Sequence, residues 1–213
     1  MTIWENTSSN RSAVVTGASS GIGQATVRAL REQGWTVFAV ARRAERLEAL
    51  AKQTGAIAIP ADVSNQTDVD ALALAVAEHG GADTLINVAG GARGTEYWAD
   101  AVDEHWDFMW QSIVMGTMRL TRALLPQLRA RGGDVVFITS TAAHEPYKGG
   151  AGYTAAKHAE LMIPQTLRLE LVGEPVRVIE IAPGMVKTEE FSLRRLGTEE
   201  AAAQVYAGVD EPL

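Results

Sequence analysis

The segment Tyr153-Thr154-Ala155-Ala156-Lys157 sets a phenol and an ammonium four positions apart, a spacing that on a helix puts both side chains on one face. A phenol alone is a poor acid or base at neutral pH, because its ordinary pKa is about 10. A lysine cation beside it favours the phenolate and draws that pKa toward the range in which a proton can pass to or from an alcohol oxygen. The same pair also fits a packed Tyr next to a solvated Lys, so its chemistry depends on what else converges on it.

A second motif supplies a candidate for that convergence. Thr16-Gly17-Ala18-Ser19-Ser20-Gly21-Ile22-Gly23 follows a short β-branched run, and the residues after it, from Gln24 to Leu30, have a helical pattern. In a strand–turn–helix of this kind Gly17 makes the tight turn, Gly21 lets backbone N–H groups reach a pyrophosphate at the helix N-terminus, and Gly23 allows close helix packing. At the end of the next strand an NAD site would place an acidic residue to accept from the ribose hydroxyls. This chain has Ala41 followed by Arg42 and Arg43. A guanidinium binds a 2′-phosphate through paired charge-assisted hydrogen bonds, so the cofactor expected is NADP rather than NAD. The alternative is that both arginines solvate a helix start.

The elements that must position these motifs alternate along the chain. Residues 13–16, 36–41, 56–60, 84–88, 134–139 and 176–182 read as strands, and 22–33, 44–53, 66–79, 103–131 and 153–172 as amphipathic helices. The fourth helix is open to interruption, and Pro164 should kink the fifth. Strands as apolar as Val135-Val136-Phe137-Ile138 suit a sheet buried on both faces. With right-handed crossovers, this order predicts an α/β fold: a doubly wound parallel sheet, Rossmann-like, in three α/β/α layers, with ligands beyond the carboxyl ends of the strands.

At 213 residues one domain spanning 1–213 is expected. The net charge of -7 and pI near 5.1 lack the basic footprint of a nucleic-acid binder. The absence of cysteine removes disulfides and thiolate metal sites, and no metal is expected. Residues 1–11, with Trp4 and Glu5, do not read as a signal peptide, and the apolar stretches are too short to span a bilayer. A cytoplasmic protein acting on small molecules, with no membrane partner, is the expectation.

Taken together, the motifs resemble the short-chain dehydrogenase/reductase family over nearly the whole length. Thr16 to Gly23 is similar to its TGxxxGxG turn, Asp62-Val63 to its adenine-contacting pair, and Asn87-Val88-Ala89-Gly90 to its NNAG strand end with Val in the second position. Ser140 stands thirteen residues before Tyr153, as in the family, and Pro183-Gly184 with Thr188 is similar to the PGxxxT segment that holds the nicotinamide. The resemblance implies that Tyr153 is the general acid in carbonyl reduction and the base in alcohol oxidation, that Lys157 lowers its pKa and holds the nicotinamide ribose, and that Ser140 binds the substrate oxygen. It implies cofactor contacts from Gly17, Ser19, Ser20, Gly21, Ile22, Gly23, Arg42, Arg43, Asp62, Val63, Asn87, Ala89, Gly90, Tyr153, Lys157, Pro183, Gly184, Val186 and Thr188. It also implies a homodimer or homotetramer.

The chain departs from the family pattern in two places. Members usually carry an Asn on the fourth helix, three residues before a glycine, where a helix distortion supports a water relay to the lysine. Aligning on Gly116 puts Ile113 there, so the relay would run through Ser112, Gln111 or extra water, or be absent, and proton transfer should be slower; ordinary core packing with a shifted alignment is the alternative. The family also continues with a seventh strand and last helix. Their lack here is consistent with a trimmed product or with a different assembly.

The substrate lobe is expected from 91–98, 144–147 and 185–206, centred on about 185–210. The stretch from Pro183 to Ser192 is similar to a subgroup that oxidises 3-hydroxy acids. There Arg194 and Arg195 either clamp a carboxylate or sit on a solvated helix face, and His144 and Tyr147 are pocket-wall candidates. Trp98, Trp106 and Trp110 are expected to pack helix against sheet or subunit against subunit, with ligand stacking as the alternative. The rival functions are a dinucleotide-binding sensor that has lost catalysis, and an epimerase or dehydratase, whose substrate domains are usually longer.

Overall fold

Valine- and isoleucine-rich segments that are apolar at almost every position need cover on both faces, and the helices between them supply it. In the computed structural model, which describes residues 11–188, 191–204 and 207, six parallel strands alternate with helices. The strands are β1 (Ser12–Thr16), β2 (Thr36–Ala41), β3 (Ile57–Pro60), β4 (Thr84–Asn87), β5 (Asp134–Ile138) and β6 (Arg177–Ile181). Their order across the sheet is β3-β2-β1-β4-β5-β6, so the chain reverses direction of travel between β1 and β4. That crevice, beyond the carboxyl ends, is where a doubly wound sheet binds ligands.

The helices are α1 (Gly21–Glu32), α2 (Ala44–Thr54), α3 (Gln66–Glu78), α4 (Asp103–Met109), α5 (Gly116–Arg131), α6 (Ala151–Glu170), α7 (Phe191–Leu196) and α8 (Glu199–Gln204). Alternate strand residues feed two cores. Val14, Phe38, Leu85 and Phe137 meet Leu72, Leu120, Leu124 and Leu128 on one face, while Ala13, Val15, Val37 and Ala39 meet Val27, Leu47 and Leu50 on the other. This period-two partition is what makes the layers three.

The expected elements are present, with ends shifted by one or two residues. The long fourth helix is interrupted: α4 passes into a π-helical segment, Trp110–Met115, before α5. α5 begins at Gly116, where a Cβ would lie 2.7 Å from Val63 Cγ2, so the helix can approach the loop after β3 this closely only with glycine. α6 continues through Pro164 to Glu170. Among the described residues β6 pairs with β5 alone and exposes Ile179 and Ile181 at its edge. No described helix is long and apolar enough to cross a membrane.

Leu124 is fully buried in the first core, whereas Leu169 is exposed on α6. Leu124→Ala is expected to lower unfolding free energy by about 2–5 kcal/mol, and Leu169→Ala by less than about 0.5 kcal/mol. Urea denaturation of both variants measures the difference, and equal losses would contradict the layer assignment.

Candidate active site

The site starts where β1 runs into the glycine turn. The Thr16 hydroxyl accepts hydrogen bonds from the backbone N–H groups of Val88 and Ala89, each at 2.9 Å, and so ties the ends of β1 and β4 together. Gly17 adopts φ +64°, and a Cβ there would sit 3.2 Å from the Ala89 nitrogen. At Gly23 a Cβ would fall 2.5 Å from the Gly17 carbonyl oxygen, closer than such atoms pack. Gly21 faces Thr188, whose Cγ2 lies 3.1 Å from where its Cβ would be, which brings the 183–188 segment over the turn.

The next wall comes from the ends of β2 and β3. Arg43 donates to the Ser19 hydroxyl from Nε and Nη2, at 3.1 and 2.8 Å, and to the Ser20 hydroxyl from Nη2 at 3.0 Å. Its guanidinium therefore lies on the glycine turn rather than in bulk solvent. Arg42 is more exposed, with Nη1 3.8 Å from Asp62 Oδ2 and its guanidinium 5.7 Å from the Phe108 ring centre. Asp62 Oδ1 in turn accepts from the backbone and hydroxyl of Ser64.

These walls enclose a cleft of about 970 Å³. Gly17, Ser19, Ser20, Gly21, Ile22, Gly23, Arg42, Arg43, Asp62, Val63, Ala89, Gly90, Pro183, Gly184, Val186 and Thr188 line it, together with Ser140, Tyr153 and Lys157. Asn87 does not. Its side chain is buried and donates to the Thr121 hydroxyl at 3.3 Å, fastening the end of β4 to α5. A glycine cradle in which Cβ atoms would collide, basic side chains at one end and this volume together fit a dinucleotide.

At the other end, the first two turns of α6 deliver Tyr153 and Lys157, 9% and 6% exposed. Ser140 follows β5 at the head of a short turn, accepts from the Ala142 N–H at 3.1 Å and hydrogen-bonds the Tyr153 phenol. Lys157 Nζ donates to the Ile138 carbonyl at 2.9 Å and to Glu160 Oε2 at 2.7 Å. Glu160, 1% exposed, also accepts from the Thr117 hydroxyl at 3.2 Å.

The electrostatics correct the expectation drawn from spacing alone. Burial pushes the Tyr153 phenol above its ordinary pKa; Lys157 and Ser140 oppose this without overcoming it, and the Tyr147 and Glu160 charges add to the rise. Burial disfavours the Lys157 ammonium, but the Glu160 carboxylate and Tyr153 together outweigh that and raise its pKa. Burial likewise pushes Glu160 up against the pull of Lys157. The spacing identified the cation but not the carboxylate that offsets it.

Other expected residues divide. Tyr147 lines the cleft and its hydroxyl meets Arg195 Nη1 at 2.6 Å. Arg195 also donates to the carbonyls of Gly94 and Gly149 and stands 5.9 Å from the Tyr153 ring centre, so it belongs to the cleft and not to a solvated face. His144 does not line the cleft; it lies 3.9 Å from Glu180 on β6. Trp98 stacks on Trp106 at 5.2 Å but is largely exposed, as is part of Trp110, so neither packs a helix against the sheet. The side chain of Arg194, and Glu189, Glu190 and Tyr206, lie outside the described residues.

Ile113 lies in the π segment three residues before Gly116, fully buried, with Cγ1 2.9 Å from where a Gly90 Cβ would be. Ser112 donates to the Phe108 carbonyl and Gln111 accepts from Arg119. Sequence reading missed Glu160. Its signal was there: positions 153, 157, 160 and 164 form one helical stripe, and a Glu on the stripe that buries Tyr153 and Lys157 cannot be solvated.

Residues 11–197 match the family model described as short chain dehydrogenase. An uncharacterized oxidoreductase of Mycobacterium tuberculosis is 57% identical over 201 residues, covering 93% of this chain and 78% of the relative. The serine 3-dehydrogenase of Agrobacterium fabrum is 40% identical over 201 residues, covering 92% and 80%. A solved structure of the closed form of serine dehydrogenase complexed with NADP+ aligns with a TM-score of 0.88 at 35% identity, covering 92% of this chain and 82% of that one. With a family match over most of its length and a relative this similar, the chain belongs to the short-chain dehydrogenase family.

Proposed function

We propose that this protein is an NADP-dependent oxidoreductase that interconverts a secondary alcohol and its carbonyl, with a 3-hydroxy acid as the alcohol. The observation that carries the reading is the convergence of Ser140, Tyr153 and Lys157 on the same cleft as the glycine turn. Similarity to serine 3-dehydrogenase and to the serine dehydrogenase complexed with NADP+ supports both cofactor and substrate class.

On this reading Gly17, Ser19, Ser20, Gly21, Ile22 and Gly23 hold the pyrophosphate, and Arg42 and Arg43 bind the 2′-phosphate. Asp62 and Val63 face the adenine, while Ala89, Gly90, Pro183, Gly184, Val186 and Thr188 flank the nicotinamide half; Asn87 acts indirectly, by holding the end of β4. The bound cofactor supplies or accepts the hydride. Tyr153 donates its phenolic proton to the carbonyl oxygen during reduction and removes the alcohol proton in reverse. Because burial holds its pKa up, the phenol is protonated at neutral pH and stands ready as the acid. Ser140 orients the substrate oxygen and stabilises charge on it. Arg195, held by the Gly94 and Gly149 carbonyls, is the cation facing the substrate carboxylate.

A second reading, a dinucleotide sensor without turnover, is favoured by Ile113 where the family carries Asn. Incubation with NADP+ and a panel of 3-hydroxy acids, following NADPH absorbance, separates the two. Quenching of tryptophan fluorescence by cofactor without turnover would select the sensor.

Tyr153→Phe is expected to lower kcat by about 10²–10⁴-fold while NADPH binding, read by fluorescence titration, is kept. Arg43→Ala is expected to weaken NADPH binding by roughly 10–100-fold, the loss of charge-assisted hydrogen bonds, with little change for NADH. An equal loss for both cofactors would remove the 2′-phosphate assignment. Arg195→Met is expected to raise KM for a hydroxy acid by about tenfold or more and to leave a neutral secondary alcohol unaffected. The same effect on both substrates would sink the carboxylate role.

A further inference from the structure

A carboxylate sealed from water costs several kcal/mol unless its partners repay it, so Glu160 at 1% exposure needs a reason. Its partners are specific. Oε2 takes the Lys157 ammonium at 2.7 Å, and Oε1 takes the Thr117 hydroxyl at 3.2 Å. Thr117 follows Gly116 at the end of the π segment, so the carboxylate bridges α6 to the distorted helix that carries Ile113. Ile113 offers neither a donor nor an acceptor, while Ser112 and Gln111 bond to Phe108 and Arg119. A polar anchor for the lysine is therefore present, on a different helix from the one where the family pattern puts it.

We propose, resting on the roles given above to Tyr153 and Lys157, that Glu160 is a positioning residue for the reaction: its carboxylate fixes the Lys157 ammonium against the Ile138 carbonyl and takes over the anchoring that Ile113 does not provide. Two of the ammonium's three N–H groups are then used, by Ile138 and Glu160, and one remains to face the cleft. The negative charge also offsets the cation beneath Tyr153, leaving the phenol a weaker acid than a lone Lys157 would make it. The other ionisable groups facing this cluster are Tyr147, Arg195 on α7, whose guanidinium stands 5.9 Å from the Tyr153 ring centre, and Glu180 on β6, whose charge acts on Glu160.

Glu160→Gln keeps the shape and removes the charge. In the cofactor-free protein, ultraviolet difference titration of the phenol, isolated by subtracting the same titration of Tyr153→Phe, is expected to show Tyr153 ionising about one pH unit lower in Glu160→Gln than in the unsubstituted protein. In the active enzyme the ascending limb of alcohol oxidation, which follows phenol ionisation, moves the same way, and plateau kcat falls by roughly tenfold, the scale of one lost charge-assisted hydrogen bond. Adding Ile113→Asn to Glu160→Gln raises that plateau again, which loss of packing alone would not do.

An unmoved phenol titration, or an unchanged plateau, overturns the inference. Should the Gln variant fail to fold, Thr117→Val, which removes the hydroxyl held by Glu160 Oε1 and leaves both charges, is expected to lower plateau kcat, and an unchanged plateau overturns the proposal. Because the titration needs neither cofactor nor substrate, the two readings fail separately. A shifted titration in a protein that oxidises no alcohol removes the proposed function and leaves the Glu160 coupling. An active enzyme with an unmoved titration removes the inference alone.

Discussion

A lysine ammonium held at 6% exposure beneath a nearly buried phenol is the constraint around which the site is built. An isolated cation in such a place would give up its proton, since burial disfavours the charged form. It keeps the charge because the Ile138 carbonyl and the Glu160 carboxylate close on it at 2.9 and 2.7 Å. Those partners belong to β5 and α6, so the charge state of Lys157 depends on the docking of one helix against one strand end. The phenol inherits the result. Tyr153 lies beside a cation that is already partly offset, and its acidity is set more by desolvation than by that neighbour.

The sheet determines which residues can share this place. Parallel strands all end on one edge, and the reversal between β1 and β4 opens a crevice there without any contribution from the loops. The Thr16 hydroxyl, bonded to two consecutive N–H groups after β4, fixes the width of that crevice at its base. Gly17 and Gly23 then let the turn fold back on itself at distances no side chain would permit. Loops after β5 and β6 bring Ser140 and the 183–188 segment to the same mouth.

Much of this was legible in the chain. The alternation of β-branched runs with helical patterns gave the layers, because a strand buried on both faces loses its polar alternation, and the glycine spacing gave the tight strand-to-helix turn because that spacing has a steric meaning. The helix spacing of Tyr153 and Lys157 was right, and so was the direction in which Lys157 acts on the phenol; spacing reports a neighbour's charge, while the desolvation that outweighs it and the third charge depend on burial. Glu160 was hidden for the same reason, as a Glu on a helix reads as solvated until its stripe is known to face inward. His144 and Asn87 went the other way. Each has a residue type that could do chemistry at the right height in the sheet, but backbone direction turns one toward Glu180 and the other toward Thr121.

Net charge conceals one further consequence of the arrangement. The whole chain is acidic, at -7, yet the charged side chains lining the cleft are Arg42, Arg43, Arg93, Arg195 and Lys157 against Asp62 and Glu145. A cleft with more basic than acidic lining side chains, in a chain of net negative charge, favours an anion at its opening over the average of the surface. The two ends of the cleft share this sign: Arg43 on the glycine turn with Arg42 beside Asp62, and Arg195 beside Tyr153. The two ends are thus electrostatically alike, and what distinguishes them is shape, with glycine backbone at one and phenolic rings at the other. A ligand carrying negative charge at both extremities matches the sign of the cleft at each end.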